Sequence, residues 1–253
     1  IWTKDGDLLR TLVVPGRCLD WLRLLPDGSG FWTGCLEKAF KYDYSGKMIT
    51  SLEGDEYRTE AAVVSPDGKQ IVTYDGLSTI AVRNEMFEPI SRYSFERAKI
   101  KSIAYSPDGR YFVIGGYQID AGNGRYAAAS VRYPDGSPMA GLEVNVPNSI
   151  LVTPRNSFSN TEEDDTLIDE VKWVDISKDG KTIALVGGDK RVAFWSPGGK
   201  QLGSFKKKWR GHEDLWRVHF TPDGRSLLLV LSKSIVKIGL DGKEEGGFVT
   251  VQK

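Results

Sequence analysis

Val218-His219-Phe220-Thr221-Pro222-Asp223-Gly224-Arg225-Ser226-Leu227-Leu228-Leu229-Val230 is the stretch whose reading decides the fold. One strand-like run enters a Thr-Pro-Asp-Gly turn and a second run leaves it. Proline presets φ at the first central turn position, aspartate bonds its own backbone, and glycine takes the left-handed conformation that other residues resist. Ser226–Val230 is leucine-rich and too short for a helix. The stretch reads as a β-hairpin.

The same hairpin recurs. Asp27-Gly28, Asp67-Gly68, Asp108-Gly109, Asp179-Gly180 and Asp223-Gly224 follow one another at intervals of 40, 41, 71 and 44 residues. Their second strands include Ile71-Val72-Thr73-Tyr74, Tyr111-Phe112-Val113-Ile114 and Ile183-Ala184-Leu185-Val186. A second family of turns lies between them, at Asp5-Gly6, Ser45-Gly46, Asp135-Gly136, Gly198-Gly199 and Asp241-Gly242. Two hairpins make a four-stranded antiparallel unit, with strands a to d. Such a unit cannot bury both faces alone, so units stack, and closing the stack into a ring leaves only short edges. No segment carries a sustained helical period. The expected fold is all-β, a single β-propeller domain over 1–253.

Complete blades are expected at 18–53, 59–96, 99–145, 169–206 and 214–251, with an inserted loop at 146–168. Residues 1–12 match only strands c and d, a half blade. Five and a half blades imply a six- or seven-bladed ring in the intact protein, with an upstream hairpin before Ile1 or self-association to complete it. Trp195, on a strand c, is expected between blades.

Composition excludes several classes. The chain has 34 Lys+Arg against 34 Asp+Glu, so nothing suggests a surface that tracks nucleic-acid phosphates. No run approaches the roughly 20 apolar residues of a membrane-spanning helix. Cys18 and Cys35 fall on adjacent strands about two positions out of opposition, and read as free buried thiols. No signal peptide is visible, and the expected compartment is the cytoplasm.

Gly211-His212, Val218–Arg225, Ile235-Val236-Lys237-Ile238, Val192-Ala193-Phe194-Trp195 and the opening Ile1-Trp2 resemble the WD40 repeat family. Ser196 and Thr3 stand where that family's Asp would follow the Trp, and only one Gly-His pair occurs. S-P-D-G-K turns also occur in propellers of the TolB and peptidase-associated kinds. The resemblance implies a non-enzymatic protein-interaction scaffold.

No G-x-S-x-G elbow, His-E-x-x-His or zinc-spaced cysteine pair is present. No metal or cofactor is expected. His219 reads as a packed or channel-side histidine, and His212 as a turn residue. Asp120–Gly124 lacks the alternating ligands and distal Glu of a calcium loop. Glu162–Asp165 reads as solvated loop, and Lys206–Arg210 as a solvated connection that could also grip an acidic partner.

Position sharpens these signals. The Asp-Gly turns fall at one end of the blades, where a–b and c–d meet. The departures from the repeat fall at the other, in the b–c loop 117–125, the insertion 146–168 and the connection 206–216. Long irregular loops in a compact domain tend to be functional. The expected partner site therefore comprises Tyr117, Gln118, Asp120, Arg125, Lys206, Lys207, Lys208, Trp209, Arg210 and Trp216, with a protein or peptide, acidic in character, as the partner. The rival readings are a ligand-binding or catalytic propeller and an accessory propeller of a larger enzyme or sensor.

Overall fold

A computed structural model describes residues 1, 5–13, 20–35, 38–53, 59–119, 125–139, 151–152, 170–206 and 213–248; of Cys35, Glu53, Arg125, Tyr126, Leu151, Val152, Gly247 and Phe248 it describes the backbone alone. These residues form five antiparallel four-stranded sheets, and no helix occurs among them. Sheet I holds β1 (Trp21–Leu24), β2 (Gly30–Cys35), β3 (Lys38–Asp43) and β4 (Met48–Glu53). Sheet II holds β5 (Ala61–Val64), β6 (Gln70–Tyr74), β7 (Thr79–Asn84) and β8 (Pro89–Ser94). Sheet III holds β9 (Ala98–Tyr105), β10 (Phe112–Ile119), β11 (Arg125–Arg132) and β12 (Leu151–Val152). Sheet IV holds β13 (Val171–Ile176), β14 (Ile183–Gly187), β15 (Arg191–Trp195) and β16 (Gln201–Lys206). Sheet V holds β17 (Leu215–Phe220), β18 (Ser226–Leu231), β19 (Ile235–Gly239) and β20 (Glu244–Phe248). In every sheet the strands neighbour one another in chain order, as a propeller-like repeat requires.

All five Asp-Gly pairs lie between the first and second strands of a sheet. Their glycines sit at φ between +67° and +75°, the left-handed region. The chemistry behind the repeat is visible at Ser65. Its Oγ donates to Asp67 Oδ1 (2.6 Å) and accepts from the Gln70 amide (2.9 Å), while the Lys69 amide donates to the same carboxylate (3.1 Å). Ser106 with Asp108, Ser177 with Asp179 and Thr221 with Asp223 repeat the scheme. Sheet I has Leu25 in the hydroxyl position, and there Ser29 supplies both donors to Asp27.

Consecutive sheets pack face to face, so the second strands are buried on both sides. Ile71 joins Trp21 and Trp32 of sheet I, whereas its neighbour Val72 joins Ile100, Ile103 and Phe112 of sheet III. Leu185 faces Val113 and Val131 of sheet III, and Ala184 faces Leu227 and Leu229 of sheet V. This two-sided burial explains why these strands read as continuous apolar runs rather than alternating ones. Gly115 marks a close approach, because a Cβ there would lie 2.6 Å from Val174 of sheet IV. Tyrosines tie the sheets together: Tyr74 Oη donates to the Lys101 carbonyl (2.8 Å), and Tyr111 Oη to that of Gly180 (2.7 Å). Trp195 is half-buried against the core between sheets III and IV.

The structure departs from the sequence reading in three places. First, sheet II has a third-to-fourth-strand turn without glycine, which the search for Gly pairs passes over. Asn84 Oδ1 accepts from the amides of Met86 and Glu88, and Phe87 takes φ +67° where other sheets use glycine. A left-handed conformation disfavours a bulky residue by roughly 1–2 kcal/mol. Packing offsets it: the Phe87 ring lies tilted against Trp32 at 5.2 Å and parallel to Trp21 at 6.5 Å, with the Arg83 guanidinium 4.7 Å over its face. Second, Tyr117 and Gln118 belong to β10 rather than to a loop, since the pairing of β10 and β11 continues to Ile119 and Arg125. The extra length of this unit went into longer strands. Third, Leu151–Val152, expected inside the insertion 146–168, pairs with Ala129 and Ala128 as the fourth strand of sheet III. Arg132 also bridges Pro138, so β11 is paired along the same side by residues on both sides of 140–150.

Sheets I and V each turn one face away from their packed neighbour. On sheet I, Phe31, Phe40 and Tyr42 are covered by Leu12, whereas Leu22 and Leu24 are exposed. Leu12 reaches there from the turn at Asp5-Gly6, which the Ile1 ammonium helps close by donating to the Arg10 carbonyl (2.6 Å).

Candidate interaction site

The first strands β1, β5, β9, β13 and β17 form the shared inner edge of the sheets, each lying beside its predecessor in chain order. Side chains that reach the inner edge from different sheets converge there. Arg23 comes from β1, Tyr74 from the end of β6, Trp173 and Asp175 from β13, and Arg217 and His219 from β17. Arg217 lies 4.7 Å over the Trp173 ring, and His219 meets the same indole edge-on at 5.6 Å. The Arg23 guanidinium donates to the Leu22 carbonyl (2.8 Å).

Electrostatics link the first and last sheets. Burial pushes the Arg23 guanidinium below its usual range, and the like charge of Arg217 pushes it further. Burial pushes the Tyr74 hydroxyl up to about 12; Glu60 adds to that, while Arg23 and Arg217 oppose it. The charges of Arg23 on sheet I and Arg217 on sheet V thus act on the same Tyr74 hydroxyl of sheet II. Asp175 and His219 stand 3.9 Å apart, too far for a hydrogen bond. Burial pushes the Asp175 carboxyl up and the His219 imidazole down, so burial disfavours the charged form of both. Asp175 Oδ2 instead accepts from the Phe220 amide (2.8 Å), which pins β17 to β13.

The expected partner residues fare differently. Trp216 is 57% exposed on β17, next to Arg217. Lys206 ends β16 and lies 3.5 Å from Asp189, so its charge is shared with a neighbour before any partner arrives. Tyr117 is buried; with Gln118, Lys99 and Phe95 it lines a small cavity in sheet III. Arg125 opens β11, with only its backbone described. Asp120, Lys207, Lys208, Trp209 and Arg210 lie outside the described residues, as do His212, the acidic run 162–165 and Cys18. Tyr117, Gln118, Lys206 and Trp216 all lie toward the sheet ends where second strands turn into third ones. There Glu213 holds the sheet V turn, accepting from the Lys233 amide (3.1 Å) and Ser234 Oγ (3.1 Å).

Arg23, Tyr74, Trp173 and Arg217 were missed by the sequence reading. For Arg23, Trp173 and Arg217 the signal was a cation or an aromatic inside a first strand, and for Tyr74 an aromatic closing a second strand, but only the stacking order brings these strands to one edge. Among the described residues no three His, Cys, Asp or Glu side chains come together as a metal site would need. No helix among them is long and apolar enough to cross a membrane. Fold and site together define an all-β, propeller-like repeat protein with an arginine–aromatic cluster at its inner edge. Comparison with known proteins finds no matching family model and no matching relative.

Proposed function

We propose that the five sheets are blades of a six- or seven-bladed propeller of WD40-like kind, and that the protein is a non-enzymatic scaffold. Its partner, a protein or peptide, docks on the ends where second strands turn into third ones and at the adjoining mouth of the inner edge. The observation that carries this reading is Trp216, an indole left 57% exposed beside Arg217 on an inner strand. Tryptophan and arginine concentrate binding energy when a partner desolvates them. The electrostatic reach between Arg23 of the first sheet and Arg217 of the last supports a row of blades that curls around an axis.

A pull-down comparing wild type with Trp216→Ala and with Arg110→Ala tests the reading, because Arg110 sits beside the Asp108-Gly109 turn at the opposite end. Partner recovery is expected to fall only for Trp216→Ala, with unchanged melting temperature. Equal recovery by wild type and Trp216→Ala would refute it.

A further inference from the structure

The inner strands read Trp-Leu-Arg-Leu, Ala-Ala-Val-Val, Ala-Lys-Ile-Lys-Ser-Ile-Ala-Tyr, Val-Lys-Trp-Val-Asp-Ile and Leu-Trp-Arg-Val-His-Phe. They carry five cations, Arg23, Lys99, Lys101, Lys172 and Arg217, against one carboxylate, Asp175. The whole chain is balanced at 34 against 34, so the positive charge has been gathered at this edge. A strand that must pack on two neighbours gains nothing from like charges in close company. None of the five cations makes an ion pair with a described residue, whereas Lys190 nearby is held by Asp214 at 3.1 Å. The Arg217 guanidinium carbon lies 4.7 Å over the Trp173 ring. An arginine can rest on an aromatic face and still offer N–H groups to a planar oxyanion.

We propose that the mouth of the inner edge binds the carboxylate side chains of an acidic peptide segment, gripped between Arg23 and Arg217 and flanked by Trp173 and Trp216. The inference rests on the scaffold reading above and names the chemistry of its partner. Carboxylates already stand at this end of the strands. Glu213 is tied to the Lys233 amide and Ser234, and Asp214 to Lys190, so their charge is in use. Glu60, whose charge acts on Tyr74, opposes entry of an anion. Removing it should strengthen binding while removing either arginine weakens it, and loss of folding cannot produce that opposite pair of effects.

The test is fluorescence anisotropy at low salt with a labelled peptide of alternating Glu and Tyr, against its Lys–Tyr counterpart and inorganic phosphate. The Glu–Tyr peptide is expected to bind saturably, about tenfold or more weakly to Arg23→Ala plus Arg217→Ala, and more tightly to Glu60→Gln. Added salt should weaken it. Where Arg23→Ala lowers the melting temperature, Arg23→Gln takes its place. No saturable binding, equal binding of the Lys–Tyr peptide, or a double variant that binds like wild type would overturn the proposal. Displacement of the peptide by an equal concentration of phosphate would also overturn it, by making the site one for free oxyanions. Hydrogen exchange on the same samples separates the two readings. Protection at the Trp216 end that persists in the double variant leaves the scaffold standing and removes the acidic grip. Protection confined to the Asp-Gly turns removes both.

Discussion

The two ends of the same strands are built on opposite rules. At one end, four of the five Asp-Gly turns repeat one hydrogen-bond scheme from a Ser or Thr hydroxyl, and the fifth, at Asp27, replaces it locally with Ser29. At the other end, among the described residues, no one scheme serves every sheet: sheets II and IV share an Asp that accepts the amide two residues on, and sheet V does not. Sheet II turns on Asp75, whose carboxylate accepts from the amides of Leu77 and Thr79, while sheet V turns on a glutamate from a preceding connection. A repeat is held where local backbone chemistry demands one solution, and it lapses where tertiary contacts take over. The lapsed end is also where Trp216 stands exposed and where the cations gather.

The largest expected effects lie between sheets, where both ends depend on the same packing. Phe112 is fully buried between sheets II and III. Its replacement by alanine should destabilise the protein by about 3–5 kcal/mol in chemical denaturation. A loss under about 1 kcal/mol would mean that these sheets do not face each other as described.

Phe87 gives the next test. At an ordinary strand position glycine is worse than alanine by roughly 0.5–1 kcal/mol. At φ +67° the order should reverse, with Phe87→Gly more stable than Phe87→Ala by about 1 kcal/mol while both lose the Trp32 contact. Thermal or urea unfolding of the pair reads this directly, and an alanine variant at least as stable as the glycine variant would contradict the turn geometry.

That turn also marks the limit of what the sequence could reveal. The Asp-Gly hairpins were legible because their chemistry is local: six residues, such as 65–70, contain the whole scheme. Phe87 was not, because the reason it tolerates a glycine conformation is an indole from another sheet. The same holds for β12, where a two-residue strand is defined by its pairing with Ala128 and Ala129 and by nothing in its own composition. In the site, Trp216 was legible as an aromatic beside a connection. Arg23 and Arg217 were not, since they stand almost two hundred residues apart.

Smaller effects belong to the repeating end. Ser65→Ala removes a donor to Asp67 and an acceptor for Gln70, and should destabilise the protein by about 1 kcal/mol. Side-chain and backbone donors hold the Asp67, Asp179 and Asp223 carboxyls below the usual range. A carboxylate depressed in the folded state adds stability that is present above its unfolded value, near about 4, and lost as pH falls through its folded value. These turns should leave the melting temperature flat at neutral pH and lower it progressively below about pH 4. In Ser65→Ala the share of that acid response owed to Asp67 should shrink; an identical acid response in the variant would show that the hydroxyl does not stabilise the carboxylate.

The contrast between the two ends is tested most directly by placing a photo-reactive residue at position 216 and, separately, at position 110, and irradiating each with the partner recovered by pull-down. Cross-links are expected from position 216, at the irregular end, and none from position 110, beside the Asp108-Gly109 turn. Cross-links from position 110 alone would place the partner on the repeating turns and contradict the account.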